Sequence, residues 1–201
     1  MIIGFDLDNT LIEYDDAFHL EAIKRGYGGK GVVHKKKEIR NYFNSIGKPE
    51  IFTEIQAEVY GICIKRINIC PILNMILHEL KKNKHKIYVV SHKTKYPYKG
   101  PKYDLRLEAT NWIEKEISYK GDRSIQKDNI YFESTKKDKV NRIKALGIEV
   151  YIDDLVEILN DLDKCIAGIL YSPNGYVENW PKEKTLTSWN DNDFSRMIEN
   201  R

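Results

Sequence analysis

The stretch Ile2-Ile-Gly-Phe-Asp6-Leu-Asp8-Asn-Thr10-Leu11 decides how the rest of the chain is read. Four uncharged residues are followed at once by two carboxylates spaced two apart, the pattern of a short buried strand whose C-terminal end delivers charge into a loop. The pattern recurs. Ile87-Tyr-Val-Val90 runs into Ser91-His-Lys-Thr94, Ile130-Tyr-Phe132 forms a third apolar run, and Val150-Tyr-Ile152 ends in Asp153-Asp154. Cys165 to Leu170 reads as a fifth strand.

Between the strands the period changes from two to helical. Pro71 is placed to open a helix with Leu73, Ile76, Leu77 and Leu80 on one face. Asp104 reads as the N-cap of a helix burying Leu105, Ala109, Trp112 and Ile113, and Asp138 as the N-cap of another carrying Val140, Ile143 and Leu146. Alternating strands and helices predict an α/β fold, a Rossmann-like parallel sheet covered on both faces. Ligands bind outside the carboxyl ends of strands in such sheets, and the polar clusters fall at those ends.

Composition narrows the class. A chain of 201 residues, 41% hydrophobic and 31% charged, has room for one core with a modest insertion and is not disordered in type. Its net charge of +3 sets up no strong field. The lysine runs His34–Lys37 and Lys81–Lys86 read as solvated surface, and the second precedes its strand, at the end of the sheet away from the acids. Three cysteines without metal spacing read as reduced core thiols. No apolar run is long enough for a bilayer, and no leader-like pattern precedes the first strand, so a cytoplasmic protein without membrane partners is expected.

Taken together, Asp6-Leu-Asp8-Asn-Thr10, Ser91 after its strand, Lys139 at a helix start, and Asp153-Asp154 after theirs resemble the four ordered motifs of the haloacid dehalogenase (HAD) superfamily. Asp8 is what makes the likeness one to the phosphatase branch. The resemblance implies a HAD-like core over residues 1–12 and 71–201, with a small helical cap inserted at 13–70. It also implies a hydrolase of phosphoric monoesters that passes through an aspartyl-phosphate.

Phosphate monoesters hydrolyse so slowly that up to ~10²¹-fold acceleration is needed, and a covalent intermediate divides that barrier. On the resemblance Asp6 is the nucleophile and Asp8 the general acid and base. Lys139 neutralises phosphate charge, with Lys136 and Lys137 as alternatives for that place. Thr10, Ser91, His92 and Lys93 are the expected phosphate and substrate contacts. Asp6, the Asp8 carbonyl and Asp153 are the expected ligands of Mg²⁺, a hard cation that takes oxygen donors. Asp154 is expected to support them.

The expected partner is a small phosphorylated metabolite, of sugar or nucleotide type. The lysine- and tyrosine-rich loop Ser91–Tyr103 is similar to one in dehalogenase-like phosphatases of bacterial surface-polysaccharide metabolism. Thr187–Asn190 is similar to a segment of cap-bearing 5′-nucleotidases. Tyr14, His19 and Tyr27 are candidate cap contacts, and the glycines at 26, 28, 29 and 31 candidate flexible points. A polynucleotide-end phosphatase and a non-catalytic binding module are the competing readings, with nucleic acid disfavoured. Oligomeric state is open.

Overall fold

The computed structural model describes residues 1–27 and 34–199; the glycines at 28, 29 and 31 lie outside them. The described chain separates into two compact units. The first comprises Met1–Ile12, Ile69–Lys93 and Ile113–Arg201, and the second Glu13–Asn68 with Thr94–Trp112. The second unit therefore takes in a segment beyond residue 70, one that the sequence pattern had left with the core.

The first unit is built on a six-stranded parallel sheet. Its strands are β1 (Ile2–Phe5), β2 (Lys86–His92), β5 (Ile130–Glu133), β6 (Val150–Asp153), β7 (Ala167–Tyr171) and β8 (Thr185–Leu186), in the spatial order β5-β2-β1-β6-β7-β8. β1 is flanked by β2 on one side and β6 on the other, with Gly4 level with both Tyr88 and Tyr151. Here the strand order reverses, which places the crevice for a ligand at the C-terminal ends of these three strands. β3 (Ser118–Tyr119) and β4 (Asp122–Arg123) form a separate antiparallel pair.

One face of the sheet buries Tyr88, Val90, Tyr151 and Leu170 against Val140 and Ile143 of α6 (Lys136–Ala145) and Ile158 and Leu159 of α7 (Val156–Asn160). An aromatic cluster forms elsewhere in the unit. Trp189 stacks on Tyr171 at 4.8 Å and lies 6.3 Å from Phe5, with Phe194 of α8 (Asp191–Glu199) beside both. Burying one such ring contributes about 1.5–3 kcal/mol. α4 (Pro71–Lys82) opens on its proline and buries Leu73, Ile76, Leu77 and Leu80, as its pattern predicts.

Three expectations need correction. The fifth strand starts at Ala167 rather than Cys165, and that thiol is exposed while Cys63 and Cys70 are half-buried, so the cysteines are not core residues. β8, only two residues long, carries too short an alternation to be seen in sequence. The N-cap of α6 is Thr135, not Asp138. The Asp138 amide donates to Thr135 Oγ1 at 3.0 Å, and that hydroxyl donates to the Asp138 carboxylate at 2.7 Å. Two capping residues three apart offer the same signal, and the one with extended backbone takes the cap.

The second unit is helical, with α1 (Asp15–Ala22), α2 (Lys36–Ser45), α3 (Pro49–Tyr60) and the start of α5 (Leu105–Glu116). Its core is aromatic: Phe18 stacks on Phe52 at 5.4 Å, Tyr14 meets Tyr60 edge-on at 4.8 Å, and Tyr27 meets Phe43 at 4.9 Å. Tyr14 is thus a core residue, not a surface contact. Segment 94–112 is held by its own side chains. Tyr103 packs over Gly61, where any Cβ would strike the ring, and its hydroxyl donates to Glu58 at 3.3 Å. Asp104 caps α5 through the Leu107 amide at 3.0 Å, as expected. Among the described residues no helix is long and apolar enough to cross a membrane.

Candidate active site

The chain leaves β1 at Asp6, whose amide donates to the Ile152 carbonyl at 2.8 Å. It turns back at once, with the Leu11 and Ile12 amides both on the Leu7 carbonyl at 3.0 Å. Asn9 occupies the turn with φ of 60°, a conformation asparagine tolerates better than most residues. Its side-chain amide donates to Asp154 at 3.1 Å. A tight loop thus joins the first acidic motif to the last.

Lys139 is the central residue. Its ammonium lies 2.6 Å from Asp6 Oδ1 and 2.6 Å from Asp153 Oδ2, and all three residues are buried. Burial works against its charge, but the carboxylates of Asp6 and Asp153 outweigh burial and hold the ammonium above the usual lysine range. Asp153 is pushed up to about 8, by burial first and by its neighbours Asp6 and Asp154, against the pull of Lys139. Its Oδ1 accepts the Leu155 amide at 2.9 Å. Of the alternative lysines, Lys136 is exposed and paired with Glu157 at 2.5 Å, and Lys137 is exposed.

Asp6, Asp153 and Asp154 each present a carboxylate oxygen, all within 4.8 Å of one another. Three crowded carboxylates facing one ammonium leave excess negative charge, which adds to burial in raising Asp153. An all-oxygen set without imidazole or thiolate fits a hard divalent cation such as Mg²⁺. The Asp8 carboxylate is not part of this group. Lys93, itself buried, donates to both of its oxygens at 2.9 and 2.8 Å.

Thr10 is fully buried, and its Oγ1 has no hydrogen-bond partner among the described residues. Ser91 is buried in the last turnout of β2, level with Phe132 of β5. His92 points outward and its Nε2 lies 3.0 Å from the Ser134 carbonyl. Asp6, Asp153, Asp154 and Lys139 are therefore brought into one cluster, Asp8 and Lys93 into a second pair, and His92 into neither. Sequence reasoning missed Asn9, whose signal was an asparagine in a turn needing positive φ, and the diversion of Lys93 to Asp8, for which a lysine directly after a strand gives no sign.

The same fold occurs in solved structures of low sequence identity. An archaeal beta-phosphoglucomutase from Pyrococcus sp. strain ST 04 matches with a TM-score of 0.60 at 13% identity, over 100% of both chains. A phosphoserine phosphohydrolase-like protein from Francisella tularensis matches with 0.58 at 16% identity, over 98% of both. A haloacid dehalogenase-like hydrolase from Bacteroides fragilis gives 0.54 at 14% identity, over 85% of this chain and 87% of that one. No protein-family model matches the sequence, and no curated protein matches it. Likeness at these identities is likeness of fold, and the fold of this chain is the haloacid dehalogenase-like fold.

Proposed function

We propose that the chain is a phosphomonoesterase acting on a small phosphorylated metabolite through an aspartyl-phosphate on Asp6. One observation carries the reading. Asp6 and Asp153, almost 150 residues apart in the chain, stand at the C-terminal ends of the adjacent parallel strands β1 and β6, and the buried Lys139 ammonium, from the first turn of α6, lies 2.6 Å from each. Burying an ammonium and two carboxylates is costly for a fold, so such a cluster marks a functional site.

In the first half-reaction an Asp6 carboxylate oxygen bonds to phosphorus while the bond from phosphorus to the substrate's oxygen breaks, and Asp8 gives its proton to that leaving oxygen. In the second, Asp8 takes a proton from water, the water oxygen bonds to phosphorus, and the bond to Asp6 breaks, releasing inorganic phosphate. Lys93, donating to both oxygens, orients the Asp8 carboxylate that takes the proton from water, and one of these two bonds gives way when Asp8 carries the proton it donates in the first half-reaction. Lys139 neutralises charge on the phosphoryl oxygens. Thr10, whose buried hydroxyl lacks a partner among the described residues, and Ser91 supply hydrogen bonds to them.

Asp6, Asp153 and Asp154, with the Asp8 carbonyl, would hold Mg²⁺, which when bound offsets the repulsion between the phosphate dianion and the carboxylate nucleophile. The helical part of the second unit at 13–68, which the chain inserts between the first two motifs, is assigned the role of substrate selection. Transfer of the phosphoryl group to a second hydroxyl shares the first half-reaction, and phosphomutases are among proteins of this fold. A polynucleotide end is a poorer substrate: the Lys81–Lys86 run precedes β2, at the end away from Asp6, and Lys81 is already paired with Asp122 at 2.5 Å.

The test is phosphate release from sugar phosphates, nucleotides and small amino-alcohol phosphates, with Mg²⁺ and with chelator, by wild type and Asp6→Asn. Turnover that needs the metal and vanishes in Asp6→Asn is expected. Turnover surviving Asp6→Asn overturns the nucleophile. Phosphate appearing on an added acceptor instead of in solution makes the protein a transferase.

A further inference from the structure

Tyr88, Gly4 and Tyr151 stand level on three neighbouring strands, β2, β1 and β6. In-register residues of adjacent strands share a face, so the tyrosine on β6 has a residue without a side chain beside it. Tyr151 uses that gap. A Cβ on Gly4 would sit 2.7 Å from Tyr151 Cδ2 and 2.7 Å from Ile148 Cδ1, closer than packed carbons approach. The ring crosses the central strand above Gly4, and its hydroxyl donates to the Val90 carbonyl on β2 at 2.5 Å.

The acceptor is informative. The Val90 carbonyl belongs to the peptide bond whose nitrogen is that of Ser91. The same ring lies 5.6 Å from the Lys139 ammonium, a cation–π distance, and Tyr151 is two residues from Asp153. One fully buried side chain therefore touches the peptide of Ser91 and the ammonium of Lys139, and its backbone leads directly into Asp153. A purely apolar residue would fill the same space in the core without reaching across two strands.

We infer that Tyr151 is a positioning residue, a strut laid over Gly4 that sets the separation of Ser91 from Lys139 and so the width of the phosphate site. The strut fixes where two donors stand relative to one anion, and a hydrogen bond of this kind is worth about tenfold in an equilibrium or rate. Gly4 is its structural condition: no other residue leaves the path over β1 open. The chemistry of this inference rests on the phosphatase reading, but its geometry does not.

Four readouts test it in full-length protein. In Tyr151→Phe, which keeps the ring and loses the hydroxyl, kcat should fall about tenfold and the inhibition constant of inorganic phosphate should rise about as much. The amide nitrogen resonance of Ser91 should shift, because its peptide carbonyl loses a donor. The melting temperature should move by only a few degrees. In Gly4→Ala the ring is displaced and both effects should deepen; Gly4→Ala with Tyr151→Val removes the clash and should recover melting temperature without recovering kcat.

Full kcat and an unchanged phosphate inhibition constant in Tyr151→Phe would overturn the strut, whatever happens to stability. So would recovery of kcat along with stability in the double variant. If wild type releases no phosphate from any substrate, the phosphatase reading fails by itself, and the strut is then read from the affinity of the Mg²⁺-loaded protein for inorganic phosphate and from the Ser91 resonance. No difference between wild type and Tyr151→Phe in those two measurements overturns it independently.

Discussion

Lys139 sits 2.6 Å from Asp6 and 2.6 Å from Asp153 with side chains 2%, 6% and 0% exposed. In the helical unit Lys99 and Arg25 reach Glu54 at 3.2 and 3.1 Å, with side chains 51%, 27% and 32% exposed. The first network sets one ammonium between two carboxylates; in the second one carboxylate stands between two cations, and Arg25 also reaches Glu21 at 3.4 Å. Separation alone hardly distinguishes them. Water does: in the sheet unit each charge has only its partners, and in the helical unit each has solvent as an alternative. The first network is costly to keep and more costly to break; the second is nearly indifferent to loss of a member.

The largest effect should follow from breaking the buried network at its centre. Lys139→Met leaves Asp6 and Asp153 facing each other without a counter-charge, and a urea melt should show a loss of about 3–5 kcal/mol. Phosphate release should fall by about a thousandfold or more. Lys136→Ala, which removes an exposed pair with Glu157, should leave both nearly unchanged. If the two variants exchange behaviours, the assignment of the phosphate lysine is wrong.

A smaller effect is expected where burial is less complete. Asp8 is 17% exposed and Lys93 2%, so Lys93→Met strands a carboxylate that still finds some water. The expected loss is about 2 kcal/mol in the same melt. If Lys93 acts by holding Asp8, kcat should drop while the inhibition constant of inorganic phosphate stays put; a rise in that constant would instead make Lys93 a direct phosphate contact. Further from the charges, Thr135→Ala removes the cap of α6, the helix that carries Lys139, for about 1 kcal/mol by thermal melt, and Thr135→Ser should restore it.

The contrast also explains what could be read in the sequence. Strands that end in carboxylates are legible because an apolar run followed by charge has one comfortable solution, burial of the run and presentation of the charge at its end. Hence β1, β2, β5 and β6 stand where the pattern puts them, and the acids that follow β1 and β6 converge. What Lys93 does was not legible, since the choice between Asp8 and a ligand depends on which strand lies beside β2, and that neighbour, β1, is some eighty residues away in the chain. The path of 94–112 was hidden for a similar reason: Tyr103 finds Gly61 some forty residues back, and neither residue advertises it. The cap of α6 failed differently, between Thr135 and Asp138, each of which reads as a cap by itself. Lys139 reached Asp6 although the cap expected before it was the wrong residue, because its face of the helix is the same in either case.

The smallest effect belongs to the exposed network and has a sign of its own. The Lys99 ammonium, with Arg25 assisting against slight burial, holds the Glu54 carboxyl below its usual range. A carboxyl depressed in the folded state contributes stability that is complete above its unfolded value, near 4.5, and fades as pH falls through the folded value. Wild type and Glu54→Gln should therefore differ by no more than about 0.5 kcal/mol at neutral pH, and converge as acid is added. Salt should shrink the difference at neutral pH, since charges open to water are screened over about 10 Å at 0.1 M. A difference that persists in molar salt, or that exceeds the loss in Lys93→Met, would mean that water does not reach Glu54 as its exposure implies, and the distinction between the two networks would then have to rest on something other than solvent.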